Sequence, residues 1–162
     1  MTIDSSEYRR VLGHFPTGVT VVTGVDDAGP TGMAIGSFAS VSLDPPLVMF
    51  CPSATSATWL RIQETGAFCV NVLGHDQADV CGVFASKVDD KFAGIEWTTD
   101  HTGAPLIPGA LATIDCSIHA VHDGGDHDIV VGLVQSMKTS EDAPARGPLV
   151  FFQGGYGRYQ GL

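Results

Sequence analysis

From Gly32 to Leu47 the chain reads Gly-Met-Ala-Ile-Gly-Ser-Phe-Ala-Ser-Val-Ser-Leu-Asp-Pro-Pro-Leu, a strand-like stretch with small residues and hydroxyls where packed side chains belong. Gly, Ala and Ser cover a pleated surface poorly, and glycine inside a strand marks a place where a ligand or another backbone comes close. Something other than a side chain is therefore expected to lie against it. Asp44-Pro45-Pro46 ends the stretch in a rigid turn, because each proline fixes its own φ and restricts the residue before it.

The rest of the chain is rich in short strands. Val19 to Val25 is mostly β-branched and closes at Asp26-Asp27-Ala28-Gly29-Pro30, with Gly32 to Ser42 as its hairpin partner. Leu47 to Cys51 is a continuous apolar run of the kind expected of a strand buried on both faces. Ala67–Leu73, Leu111–Val121, Asp128–Met137 and Pro148–Gln153 read as further strands, and Phe15 to Gly18 as a turn. Three short helices are expected: Tyr8–Leu12, capped by Ser5-Ser6-Glu7; Thr58–Glu64, capped by Thr55 or Ser56; and Val80–Ala85, introduced by Asp76 and Asp79. Many strands with few helices fit a mainly β, antiparallel barrel better than alternating βαβ units. Gly32 and Gly36 do not form the GxGxxG of a dinucleotide-binding turn.

A chain of 162 residues suits one domain over residues 1–162, burying about two-thirds of its unfolded surface. With 18 acidic and 8 basic residues its net charge is −10, which argues against nucleic acid or an anionic membrane as partner, since both require a cationic surface. Cys51, Cys69, Cys81 and Cys116 lie in apolar segments without CxxC spacing, so reduced thiols are expected. Residues 1–7 lack the basic and apolar regions of a signal peptide, and no segment approaches the roughly 18 apolar residues of a membrane span. A soluble, cytoplasmic protein is the expectation.

Several groups could carry chemistry. Ser53, Thr55, Ser56 and Thr58 fall where a strand gives way to a helix, and hydroxyls beside the free amides of a helix start are a natural seat for phosphate. A solvated loop with a helix cap would look the same. Lys91, after Asp89-Asp90, could bring a cation to that phosphate or simply pair with those aspartates. His119, His122 and His127, with Asp123, Asp126 and Asp128 nearby, admit a metal site, although His119 and His122 would point to opposite faces of a strand. Gly124-Gly125-Asp126-His127 reads instead as a tight turn presenting one histidine. No catalytic triad or GxSxG elbow is visible. The aromatic tail from Phe151 to Tyr159 either frays or docks.

Together these segments resemble the flavin reductase family of the FMN-binding split barrel, the NAD(P)H-dependent component of two-component flavin monooxygenases. The resemblance rests on Phe15-Pro16-Thr17-Gly18-Val19, Gly32 to Leu47, the Ser/Thr segment to Trp59, Phe68 to Leu73, Phe84-Ala85, Asp90-Lys91-Phe92, Gly125-Asp126-His127 and Pro148 to Tyr156. It implies a Greek-key-like antiparallel barrel in which Met33, Ala34, Ile35, Gly36, Ser37 and Phe38 run beside a flavin ring. It also implies a phosphate seat at Cys51, Ser53, Thr55, Ser56, Thr58 and Trp59 with Phe84, Ala85, Ser86 and Lys91, a nicotinamide contact at His127, and a further cofactor contact at Tyr156. The family's common Thr-Ala-Ser is Ala34-Ile35-Gly36 in this chain, so two hydroxyls are lost. The implied activity is hydride transfer from NADH or NADPH to FMN or FAD, by a homodimer whose reduced flavin diffuses to a partner monooxygenase. A split-barrel oxidoreductase that keeps its flavin, or a non-catalytic flavin binder, are the alternatives, and no metal is implied.

Overall fold

The protein is described by a computed structural model covering residues 3–162. In chain order the elements are α1 (Ser5–Leu12), β1 (Thr17–Gly18), β2 (Thr20–Asp26), β3 (Gly29–Ile35), β4 (Ala39–Leu43), β5 (Pro46–Phe50), α2 (Ala57–Thr65), β6 (Ala67–Val72), α3 (Ala78–Ala85), β7 (Thr98–Thr99), β8 (Pro105–Leu106), β9 (Ala112–Asp123), β10 (Asp128–Thr139), β11 (Leu149–Phe152) and β12 (Gly155–Arg158).

Seven strands form an antiparallel sheet in the order β3-β2-β6-β9-β10-β5-β4. Its two edge strands, β3 and β4, are consecutive in the chain and joined by just Gly36, Ser37 and Phe38. A connection that short brings the far edges together, so the sheet curls into a barrel left open along one seam. This is the expected split barrel, with one correction: Gly32 to Ser42 is not one hairpin strand. Its first half pairs with β2, Thr20 opposite Ile35, and its second half pairs with β5 across the turn that holds the cis Asp44–Pro45 peptide.

Two cores form, one on each face of β2. Val22 packs on one side with Phe50, Phe68, Val70, Trp59 and Ile62; Val21 packs on the other with Leu73, Phe84, Phe92 and Leu149. Strands β2 and β6 are thus the ones buried on both faces. The expectation that Leu47 to Cys51 plays that part is corrected, because in β5 the buried Val48 and Phe50 alternate with half-buried Leu47 and Met49. β5 faces the core on one side only.

Local details differ where the sequence offered several caps. Asp4, not Ser5 or Ser6, caps α1: its Oδ1 accepts from the Ser6 and Glu7 amides, and the two serines lie in the helix. Helix α2 is capped by Ser56, whose hydroxyl accepts from the Trp59 amide. At α3 the cap position is Gln77, and Asp76 turns away to Arg146, 2.6 Å distant. Thr17-Gly18, read as a turn, pairs with β11, and the aromatic tail folds back as β12. Cys69, Cys81 and Cys116 are buried free thiols and Cys51 is half-buried; burial raises the Cys69 thiol and pushes Cys116 up to about 12, leaving both poor nucleophiles.

Candidate functional site

Strand β3 lays Met33 and Ala34 along the wall of a cleft of about 450 Å³. The opposite wall is the start of α2, with Ser56, Ala57 and Thr58; the end of α3 and the turn after it close the cleft with Phe84, Ala85, Ser86, Lys87 and Val88. These elements meet because Gly32 carries no side chain: a Cβ there would lie 2.8 Å from Cε1 of Phe84. The glycine read as a sign of a ligand therefore first answers to a phenylalanine ring.

Lys91 reaches the same cleft. Asp90 Oδ1 accepts from the Phe92 amide at 3.0 Å, and Phe92 packs edge-on against Phe84 with centroids 5.1 Å apart, so the chain doubles back. Lys91 Nζ donates to the carbonyls of Phe84 at 2.9 Å and Gly32 at 3.2 Å rather than to Asp89 or Asp90. Burial holds its pKa below the usual lysine range. An ammonium facing dipoles instead of a carboxylate, with one N–H unused, is well suited to receive an anion.

Ala34 is shared with a second cleft of about 220 Å³, lined also by Thr17, Val19, Ile35 and Gly36 and by Tyr156 from β12. The Cys81 thiol lies 3.2 Å from the Tyr156 hydroxyl, and this contact together with partial burial raises the Tyr156 pKa. Thr17 Oγ1 would stand 3.1 Å from a Cβ at Gly36, placing a hydroxyl beside a strand that lacks its own.

A third group adjoins α2. Ser53 and His127 face each other in an isolated antiparallel bridge, the Ala54 amide donates to the Asp126 carbonyl at 3.1 Å, and the Asp128 amide donates to the Pro52 carbonyl at 3.0 Å. His127 is half-exposed, its Nδ1 2.8 Å from Asp126 Oδ1. The His127 contact holds the Asp126 carboxyl below its usual range, so the carboxylate accepts, Nδ1–H donates and Nε2 is left for a ligand.

The site residues inferred from sequence thus separate. Met33, Ala34, Ser56, Thr58, Phe84, Ala85, Ser86 and Lys91 meet in the larger cleft, and Ile35, Gly36 and Tyr156 in the smaller. Ser53, Thr55 and His127 form the adjoining rim, with the Ser53 and Thr55 hydroxyls 3.3 Å apart. Ser37 and Cys51 clamp each other instead, the Ser37 hydroxyl accepting from the Cys51 amide at 2.9 Å and donating to its carbonyl at 3.2 Å. Phe38 packs on the barrel core, and Trp59 is fully buried with Nε1 donating to Asp128 at 2.7 Å, so neither ring lines a cleft. Thr17, Ala57, Lys87 and Val88 were missed. Ala57, Lys87 and Val88 lie within one or two residues of the site residues inferred from sequence, whereas Thr17 falls in the Phe15–Val19 stretch that carries the family resemblance but was given no contact. His119 is the extra residue of a bulge opposite Val131 and Gly132, so strict face alternation fails there; among the described residues no three His, Cys, Asp or Glu side chains converge as a metal site would require.

A split barrel with a cleft of nucleotide scale between its small-residue strand and a helix N-terminus defines a nucleotide-cofactor-binding β protein. More narrowly, the chain belongs to the flavin reductase like domain family, whose model matches residues 12–160. It is 51% identical over 154 residues to the reductase subunit of a flavin-dependent monooxygenase from Rhodococcus jostii, an alignment covering 95% of this chain and 77% of that one. The crystal structure of nitrilotriacetate monooxygenase component B from Mycobacterium thermoresistibile superposes with TM-score 0.93 at 47% identity, over 97% of this chain and 87% of the other. An NADH:FAD oxidoreductase from Streptomyces globisporus, solved with NAD and FAD fragments, superposes with TM-score 0.89 at 39% identity, over 99% and 97%.

Proposed function

We propose that this single-domain protein is an NAD(P)H-dependent flavin reductase that takes FMN or FAD and NADH or NADPH and passes reduced flavin to a partner monooxygenase. The observation that carries the reading is the pair of clefts joined at Ala34, one ending in Lys91 and the α2 amides, the other covered by Tyr156. The donor set suits a flavin nucleotide: Ala34, Ala57 and Ala85 leave room for a flat ring, while the hydroxyls of Ser56, Thr58 and Ser86 and the Lys91 ammonium suit its phosphate. A flavin bound there supplies the hydride acceptor, and the chain contributes position.

Ala34 and Gly36 keep the strand flat so that two rings can stack against it. Lys91 and the start of α2 hold the phosphate end. His127 presents Nε2 from a turn bridged to Ser53, within the same rim, as a contact for the nicotinamide nucleotide. No side chain is needed to move a proton in the hydride step.

Purified protein freed of small molecules should oxidise NADH only when FMN or FAD is added, with saturation in the flavin. Oxidation sustained by retained flavin and indifferent to added flavin would favour a flavoprotein that reduces another substrate. No oxidation with any flavin and either nicotinamide donor overturns the assignment.

The active form is a homodimer in this reading. None of the eight residues of α1 is buried: Tyr8 and Leu12 line a groove with Phe15 and Phe151, and Val11 is exposed. A helix this short is not stable without an apolar partner. A second copy supplies it and covers the open barrel edges.

A further inference from the structure

We propose that Asp128 is a positioning residue: its hydrogen bond to the Trp59 indole holds the His127 turn at a set distance from the phosphate seat, so that the nicotinamide contact and the flavin end are mechanically one unit. The inference rests on the flavin reductase reading but concerns residues that line neither cleft. Trp59 sits in the first turn of α2, fully buried, its ring edge-on to Phe50 with centroids 5.8 Å apart. The same turn carries Ser56 and Thr58 at the phosphate end of the larger cleft. From this fixed point Nε1 donates to Asp128 Oδ2 at 2.7 Å, and Asp128 is the residue directly after His127.

The β9–β10 turn would otherwise be loose. Asp123, Gly124, Gly125, Asp126 and His127 are all exposed, and Gly125 takes a positive φ of 88°. The Ser53–His127 bridge ties it to the α2 approach through two hydrogen bonds, the Ala54 amide to the Asp126 carbonyl and the Asp128 amide to the Pro52 carbonyl. Both are backbone hydrogen bonds between the two loops. The Trp59–Asp128 bond runs from that pair of loops to a buried side chain of the core. A carboxylate accepting from an indole N–H sheltered by the barrel is short and charge-assisted, and so holds the turn in register.

Steady-state NADH oxidation at saturating flavin, flavin affinity and thermal unfolding would be measured for Asp128→Ala, Trp59→Phe, the double variant and Asp128→Asn. Asp128→Ala and Trp59→Phe each lose the bond and should raise the KM for NADH about fivefold to tenfold, as expected for one intramolecular hydrogen bond. Their kcat and flavin affinity should stay within about twofold, because only the placement of the nicotinamide contact is loosened. The double variant should resemble either single one, since both remove the same interaction. Asp128→Asn keeps an oxygen that accepts from the indole and should restore KM. An unchanged KM with lowered melting temperature, a rise for Asp128→Ala but not Trp59→Phe, or a failure of Asn to rescue would each overturn the proposal while leaving the reductase reading intact. Absence of flavin-dependent NADH oxidation in the unaltered protein overturns that reading and this one together.

Discussion

Lys91 shows how one side chain acquires a role from its surroundings. Its ammonium is tied to two backbone carbonyls and held partly out of water, so it costs the folded state something that a phosphate would return. Lys91→Ala should weaken FMN binding by about 1 to 3 kcal/mol, the range of a charge-assisted contact, and riboflavin binding far less. Equal losses for the two ligands in fluorescence titrations would remove Lys91 from the phosphate site. Gly132 makes a steric case of the same kind. Any Cβ at that position would overlap the edge of the Phe68 ring, which is fully buried in the barrel core. Gly132→Ala should destabilise the fold by about 1 to 3 kcal/mol through overpacking, read as a lower denaturation midpoint with unchanged slope.

At the scale of elements, α2 links stability to binding because its N-terminus is both a helix cap and a wall of the cleft. Ser56→Ala removes the acceptor for the Trp59 amide and should cost about 1 kcal/mol of stability. The same change should weaken flavin nucleotide binding, and a variant with full affinity despite lower stability would exclude α2 from the phosphate seat. The β9–β10 hairpin gives a second test. His127→Ala should raise the KM for NADH while leaving flavin affinity unchanged, whereas His119 and His122, exposed and away from the bridge to Ser53, should be replaceable without effect. Activity abolished by chelators, with all three histidine variants alike, would instead support a metal site.

The whole molecule is an open barrel with two clefts that share Ala34 and a strip of unburied apolar side chains on α1 and β11. Sedimentation at micromolar concentration should show a dimer. A stable monomer with full reductase activity would contradict the role given to the α1 groove. The acidic charge of −10 leaves few cations, and several are spent within the fold: Arg61 on Asp26, Arg146 on Asp76 and Lys138 on Asp100. Lys87 and Lys91 are the cations that line the larger cleft, and Lys91 is tied there to two backbone carbonyls.

The sequence by itself determined the strand-rich class, the capped helix after Cys51, the Gly-Asp-His turn and the unusual strand around Ala34, because each depends on local chemistry: β-branching, a hydroxyl beside free amides, glycines in a tight turn, side chains too small to pack. Its resemblance to a known family carried the reading on to flavin and nicotinamide. Tertiary structure alone decided that Gly32 admits Phe84, that Ser37 serves as a clamp, that Trp59 is an anchor rather than a contact, and that Lys91 faces carbonyls rather than the aspartates beside it. Each of these depends on an element distant along the chain. Burial, register and the identity of a hydrogen-bond partner come from the folded chain as a whole, and no local pattern encodes them.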